Sequence, residues 1–116
     1  MHNNPETHKK WLKENPEKAR YINYKSFIKR RYGTTPEEVE LLKKQQNNKC
    51  SICGCEFVEG NQYDEKCACI DHSHSQKIIR GILCRNCNLM LGYAKDKIEN
   101  LVKAIEYLNK FNETPR

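Results

Sequence analysis

Hydrophobic positions are sparse in this chain and follow different rhythms in different regions. Towards the C-terminus Ile98, Leu101, Val102, Ile105 and Leu108 recur at i, i+3, i+4, i+7 and i+10, which predicts an amphipathic helix of about four turns. Its apolar stripe either closes a small core or pairs with another subunit. Residues 68–72 and 78–83 are short apolar-rich runs on either side of a polar loop at 73–77, the pattern of two short strands. Asn88-Leu89-Met90-Leu91 then begins a short helix. The first part of the chain is mostly polar and carries one helix-start signature three times, as Asn4-Pro5-Glu6, Asn15-Pro16-Glu17 and Thr35-Pro36-Glu37. In each, a capping side chain precedes a proline that loses no hydrogen bond at the first helical position, and an acid faces the positive helix end. Helices are expected over 5–14, 16–31 and 36–47, the second ended by Gly33. Tyr21, Tyr24 and Ile28 give the middle helix an apolar face for docking, with Lys18, Lys25 and Lys29 on a neighbouring one.

These elements make an α+β chain in one compact unit. A basic helical extension over 1–48 precedes a cysteine-flanked strand–strand–helix core over 49–95, and a C-terminal helix fills 96–116. With 116 residues and 37% of them hydrophobic, a large core is not expected and a staple is. Seven cysteines could supply it as disulfides or as metal ligands. The N-terminus is polar and has no secretory pattern, so a cytoplasmic, reducing compartment (bacterial cell or phage-infected host) and metal ligation are expected. No run is long or apolar enough to span a membrane.

Charge changes the picture further. Residues 1–49 hold twelve Lys/Arg against six Asp/Glu, whereas 50–116 hold nine against nine, so the net +6 lies wholly in the N-terminal part. A one-sided positive surface is either a solvated helical face or the footprint of phosphate-backbone binding. The second alternative makes a nucleic acid the expected partner. Lys18, Lys25 and Lys29 are its candidate contacts, with Arg80 and Arg85 flanking the second strand.

The chemistry sits among the cysteines. Cys50-x-x-Cys53 and Cys84-x-x-Cys87 supply four thiolates from two tight turns, with thirty residues between the pairs, and tetrahedral Zn²⁺ suits that set. Cys55, Cys67 and Cys69 are left over, as small core residues or as ligands of a second site that lacks a clean fourth donor. Between the knuckles lies Asp71-His72-Ser73-His74. A carboxylate and an amide oxygen, from Asp71 and Asn88, suit a hard cation such as Mg²⁺, and a neutral imidazole suits proton abstraction near pH 7. That reading makes His72 a general base for water attack on a phosphodiester. The alternative makes Asp71 and the histidines further zinc ligands or a polar loop. Neighbours on a strand face opposite ways, so Asp71 and His72 can share a site only if the strand end bends.

Cys50-x-x-Cys53, Asp71-His72-x-His74 and Gly81-Ile82-Leu83-Cys84-x-x-Cys87-Asn88-x-x-Leu91-Gly92, led in by Arg31-Tyr32-Gly33-x-Thr35-Pro36-Glu37, together resemble the recombination endonuclease VII family. This is a branch of the His-Me finger nucleases, which are HNH-like and built on a ββα-metal core. The likeness spans roughly residues 30–110. It implies a catalytic Mg²⁺ or Mn²⁺ on Asp71 and Asn88, His72 as general base, His74 assisting at the phosphate, and structural zinc on the four cysteines. It further implies 5′-phosphate and 3′-hydroxyl products, branched DNA such as four-way junctions as substrate, and a homodimer. The name-giving members carry their zinc site near the N-terminus, followed by a long helical dimerisation region. This chain instead places about fifty residues before its first knuckle. Nor do Leu89, Met90 and Leu91 match an acid that some members use just after the Asn. The rival readings are an HNH-type restriction, homing or nicking enzyme on linear duplex and a non-catalytic zinc-ribbon module that binds nucleic acid.

Overall fold

The computed structural model describes residues 5–73, 75 and 78–111. Its elements are α1 (Pro5–Glu14), α2 (Pro16–Tyr32), α3 (Pro36–Gln45), β1 (Ala68–Ser73), β2 (Ile78–Cys84), α4 (Arg85–Tyr93) and α5 (Ile98–Asn109). The chain is therefore a small α+β unit of five helices and one two-stranded sheet among the described residues. None of these helices is long and apolar enough to cross a membrane.

The helix-start signatures resolve differently. Thr35 caps α3 as expected, its side chain accepting the Glu38 N–H at 3.2 Å ahead of Pro36. Asn15 does not cap α2. It is the lone residue between two helices, and its amide turns back to donate to the Trp11 carbonyl at 2.9 Å, satisfying the end of α1 instead. Asn4 lies outside the described residues. Gly33 ends α2 in the left-handed region (φ 69°) and donates its N–H to Lys29 O. Helix α3 stops short of the expected residue 47, because Asn47 and Asn48 are both left-handed (φ 57° each) and Asn48 N–H returns to Lys43 O at 2.7 Å. Asparagine tolerates that conformation better than most side chains.

The antiparallel ladder pairs Ala68 with Cys84, Cys69 with Leu83, Ile70 with Ile82 and Asp71 with Gly81, then His72 with Ile79 and Ser73 with Ile78. The register jumps between Asp71 and His72, leaving Arg80 as the extra residue of a β-bulge. The bend needed at the Asp-His pair thus comes from the partner strand, inside the ladder rather than at its end. Gly81, Ile82, Leu83 and Cys84 are buried in succession, because α3 and the first knuckle cover β2 on one side and α4 on the other. Around them Ile28, Val39, Phe57, Cys50 and Cys87 complete the core.

Gln46 holds the covered edge of β2. Its amide donates to Ile82 O at 2.8 Å and accepts from Ile82 N–H at 2.9 Å, as a neighbouring strand would. Helix α1 packs on α2, α2 on α3, and α3 on β2, which spreads the molecule along a 67 Å axis. The apolar stripe of α5 does not close the core: the helix has no buried residue, and Ile98, Val102, Ile105 and Leu108 are all exposed.

Candidate active site and structural metal centre

Two turns bring the four predicted sulfurs together. In the first knuckle Cys50 N–H donates to Cys55 O at 2.8 Å and Gly54 N–H to Cys50 O at 3.0 Å, a reversal that puts Gly54 at φ 77°. In the second, Cys84 ends β2 and caps α4, its Sγ accepting the Cys87 N–H at 3.4 Å. A sulfur in the capping role moves the start of α4 to Arg85, three residues ahead of the expected one. The sulfurs of Cys50, Cys53, Cys84 and Cys87 lie within 4.8 Å of one another, with Cys53 and Cys84 3.7 Å apart. A tetrahedron with Zn–S bonds of about 2.3 Å has edges of about 3.8 Å, so the set fits zinc.

Burial, hydrogen bonding and proximity shift these thiols in different directions. Burial pushes Cys50 up, but hydrogen bonds from the backbone of Cys84, Ile52 and Cys53 and from the Cys53 side chain outweigh it and bring it down to about 6. Cys53 is also lowered, first by the Cys55 backbone. Cys87 is raised, by burial and then by the sulfurs beside it, since thiolates this close repel unless a cation lies between them. Cys55, outside the set, is pushed up to about 12 by burial and by Cys53 and Cys84, and Cys69 to about 11 by burial and Cys67. Among the described residues neither Cys67 nor Cys69 belongs to a metal-sized cluster.

A cleft of about 520 Å³ opens between the hairpin, α4 and the end of α2, and Asp71, His72 and Asn88 all line it. The bulge explains how adjacent strand residues share it, and the early start of α4 carries Asn88 into its first turn. Asp71 is 8% exposed. A carboxylate buried that far needs a partner, and it has one in Arg80. Nε and Nη2 of Arg80 reach Oδ2 and Oδ1 of Asp71 at 2.8 and 2.9 Å. The same guanidinium grips Asp96 through Nη1 and Nη2, both at 2.9 Å. These bonds, first to Asp71 and then to Asp96, push Arg80 further above its already high range.

The predicted DNA contacts do not gather in one place. Arg80 lies inside the cleft on two carboxylates, while Arg85 borders a separate hollow with Asp64, Glu65 and Asn86. Lys18, Lys25 and Lys29 are exposed along α2, outside the cleft. His74 lies outside the described residues.

Two further lining residues carry structure that sequence reasoning missed. The ring of Tyr32 meets that of His72 edge-to-face, centroids 4.9 Å apart at 78°, and Arg31 Nε donates to the Tyr32 hydroxyl at 3.2 Å. Its signal was the Arg31-Tyr32-Gly33 lead-in, which marks a position but not a contact. Asp96 follows α4 in a turn where Lys95 and Asp96 are both left-handed (φ 57°) and Asp96 N–H donates to Leu91 O at 2.8 Å. A lysine in that conformation has no local sequence signature.

Comparison with known proteins is consistent with this geometry. The profile of the family described as recombination endonuclease VII matches residues 25–110. The Gene 59 protein of Mycobacterium phage D29 is 41% identical over 80 residues, covering 68% of this chain and 46% of that protein. The Gene 59 protein of Mycobacterium phage L5 is 40% identical over 78 residues, covering 66% and 44%. The chain thus spans less than half the length of these curated relatives. No solved structure matches it.

Proposed function

The chain belongs to the recombination endonuclease VII family, and from that premise we propose that it is a divalent-metal-dependent endodeoxyribonuclease acting on branched or structured DNA. Membership of that family implies an endonuclease with DNA as its substrate. The observation that carries the finer reading is the convergence of Asp71, His72 and Asn88 on one cleft.

In this reading β1, β2 and α4 form a ββα-metal core stapled by zinc on Cys50, Cys53, Cys84 and Cys87. The buried carboxylate of Asp71 and the amide oxygen of Asn88 are hard oxygen donors, and they would hold Mg²⁺ or Mn²⁺. When bound, that ion neutralises charge on the phosphate being cut. His72 accepts the proton of the attacking water, the water oxygen bonds to phosphorus, and the bond from phosphorus to the 3′ oxygen breaks, the departing oxygen taking a proton from solvent water. The products are a 5′-phosphate and a 3′-hydroxyl. The edge-on ring of Tyr32 supports His72 in that role by fixing the plane of its imidazole. His74 assists at the phosphate. Residues 1–48 serve as a DNA-binding extension in which Lys18, Lys25 and Lys29 follow the backbone, with Arg85 a further phosphate contact. The exposed stripe of α5 supports a homodimer.

The test is a cleavage panel of four-way junction, mismatched duplex, linear duplex and single strand, with Mg²⁺ or with EDTA. Cutting focused on the junction supports this reading, and a unique cut in linear duplex supports the HNH-type rival. His72→Ala should lose at least about 100-fold in rate, the lower end of what a general base contributes, with zinc content and folding unchanged. Retained cleavage would remove His72 from the chemistry.

A further inference from the structure

The clamp in the cleft contains more carboxylate than its guanidinium can neutralise. Asp71, Asp96 and Arg80 together carry one excess negative charge, and both acids are bidentate on the same side chain. For burying Asp71, one partner would be enough. Asp96, with a side chain 41% exposed, needs no counter-ion of its own. Yet a turn with two consecutive left-handed residues, closed by bonds from Lys95 to Gly92 and Asp96 to Leu91, aims it at Arg80. Arg80 is also the bulged residue, outside the pairing of the ladder, and its side chain is 35% exposed against 11% for Asp71. The guanidinium therefore has a fixed alternative seat and freedom to use it.

We propose that Arg80 is a movable counter-ion that shifts from Asp71 to Asp96 when a divalent cation takes Asp71, so that Asp96 sets the affinity of the cleft for that cation. The inference rests on the reading of Asp71 as the cation's ligand. A cation and a guanidinium compete for the same two oxygens and repel each other when both are close. With Asp96 present, Arg80 yields without losing a partner and stays in the cleft. Arg80 and Asp96 are positioning residues in this scheme, acting through Asp71.

Opposite signs distinguish this from a purely structural clamp. In the zinc-loaded full chain without DNA, Mn²⁺ binding is followed by the electron paramagnetic resonance signal of the free ion. Arg80→Gln removes the competitor and should tighten Mn²⁺ binding about tenfold, while Asp96→Asn confines Arg80 to Asp71 and should weaken it by a similar factor. Combining the two should bind Mn²⁺ about as tightly as Arg80→Gln alone, because Asp96 acts through Arg80 and has nothing to hold once the guanidinium is gone. Arg80→Lys keeps the charge without the fork and should tighten binding by less, which preserves the test if Arg80→Gln does not fold. Weakened or unchanged binding in both Arg80 variants, or no weakening in Asp96→Asn, overturns the proposal. Asp71→Asn separates the two levels. If it leaves Mn²⁺ binding unchanged, the reading of Asp71 as a ligand fails; if it abolishes binding that the Arg80 and Asp96 variants do not move, only the present proposal fails.

Discussion

Tyr32 is the side chain through which the N-terminal helices reach the proposed chemistry. It stands at the last position of α2, stacks edge-on to His72 and takes a hydrogen bond from Arg31. An edge-to-face pair contributes about 1 kcal/mol beyond burial, and its geometry matters more than that sum, since a general base must meet its proton within hydrogen-bond reach. Tyr32→Leu should lower kcat about tenfold with KM little changed, and Tyr32→Phe, which keeps the ring, should restore most of the loss; steady-state cleavage kinetics with unaltered kcat in Tyr32→Leu would dismiss the contact. At this scale the sequence was legible where spacing itself carries the chemistry. Two CxxC pairs announce four sulfurs, and the structure brings those four together. Asp71, His72 and Asn88 were legible as residue types, and they do line one cleft. Gln46 and Asp96 were not, because their partners arise only in three dimensions: Gln46 meets Ile82 36 positions away, and Asp96 meets Arg80 16 positions away.

At the scale of elements, periodicity and punctuation located the helices and both strands to within a few residues, and the departures come from caps. Asn15 serves the helix before it, paired left-handed asparagines end α3 early, and a cysteine sulfur starts α4 early. None of these follows from propensity, since each depends on which orphan backbone group is nearest. The bulge at Arg80 was foreseen only as a need for a bend. Helix α2 carries the clearest functional expectation of any single element. Its exposed lysines lie along a helix whose last residues, Arg31 and Tyr32, border the cleft, so backbone contacts made by the helix would lead DNA towards Asp71. Replacing Lys18, Lys25 and Lys29 together by Gln should reduce the slope of log K against log salt by about 2.7 on duplex DNA, at about 0.9 for each phosphate no longer neutralised. An unchanged slope in a binding titration across salt concentrations would show that α2 faces away from DNA.

At the scale of the whole molecule the four clustered sulfurs are the candidate staple. Among the described residues ten apolar or sulfur-bearing side chains make up the buried core, and three of the four clustered cysteines are among them. The chain extends over 67 Å with a radius of gyration of 19.0 Å, well above the roughly 13 Å of a compact domain this long, so burial alone gives it little reserve. Removing zinc with a strong chelator, or replacing Cys84 by Ser, should abolish the cooperative thermal transition of the hairpin and α4; circular dichroism that still shows that transition after verified metal loss would mean that packing suffices. Cys84 has a position that no other cysteine of the cluster shares. It is at once the last residue of β2, the cap of α4 and a member of the sulfur cluster, four residues before Asn88. Loss of an ion held by this cluster would therefore loosen a strand end and a helix cap in one event, and would shift Asn88 without touching it. Through this one sulfur a structural ion would hold a veto over a cleft that it never enters.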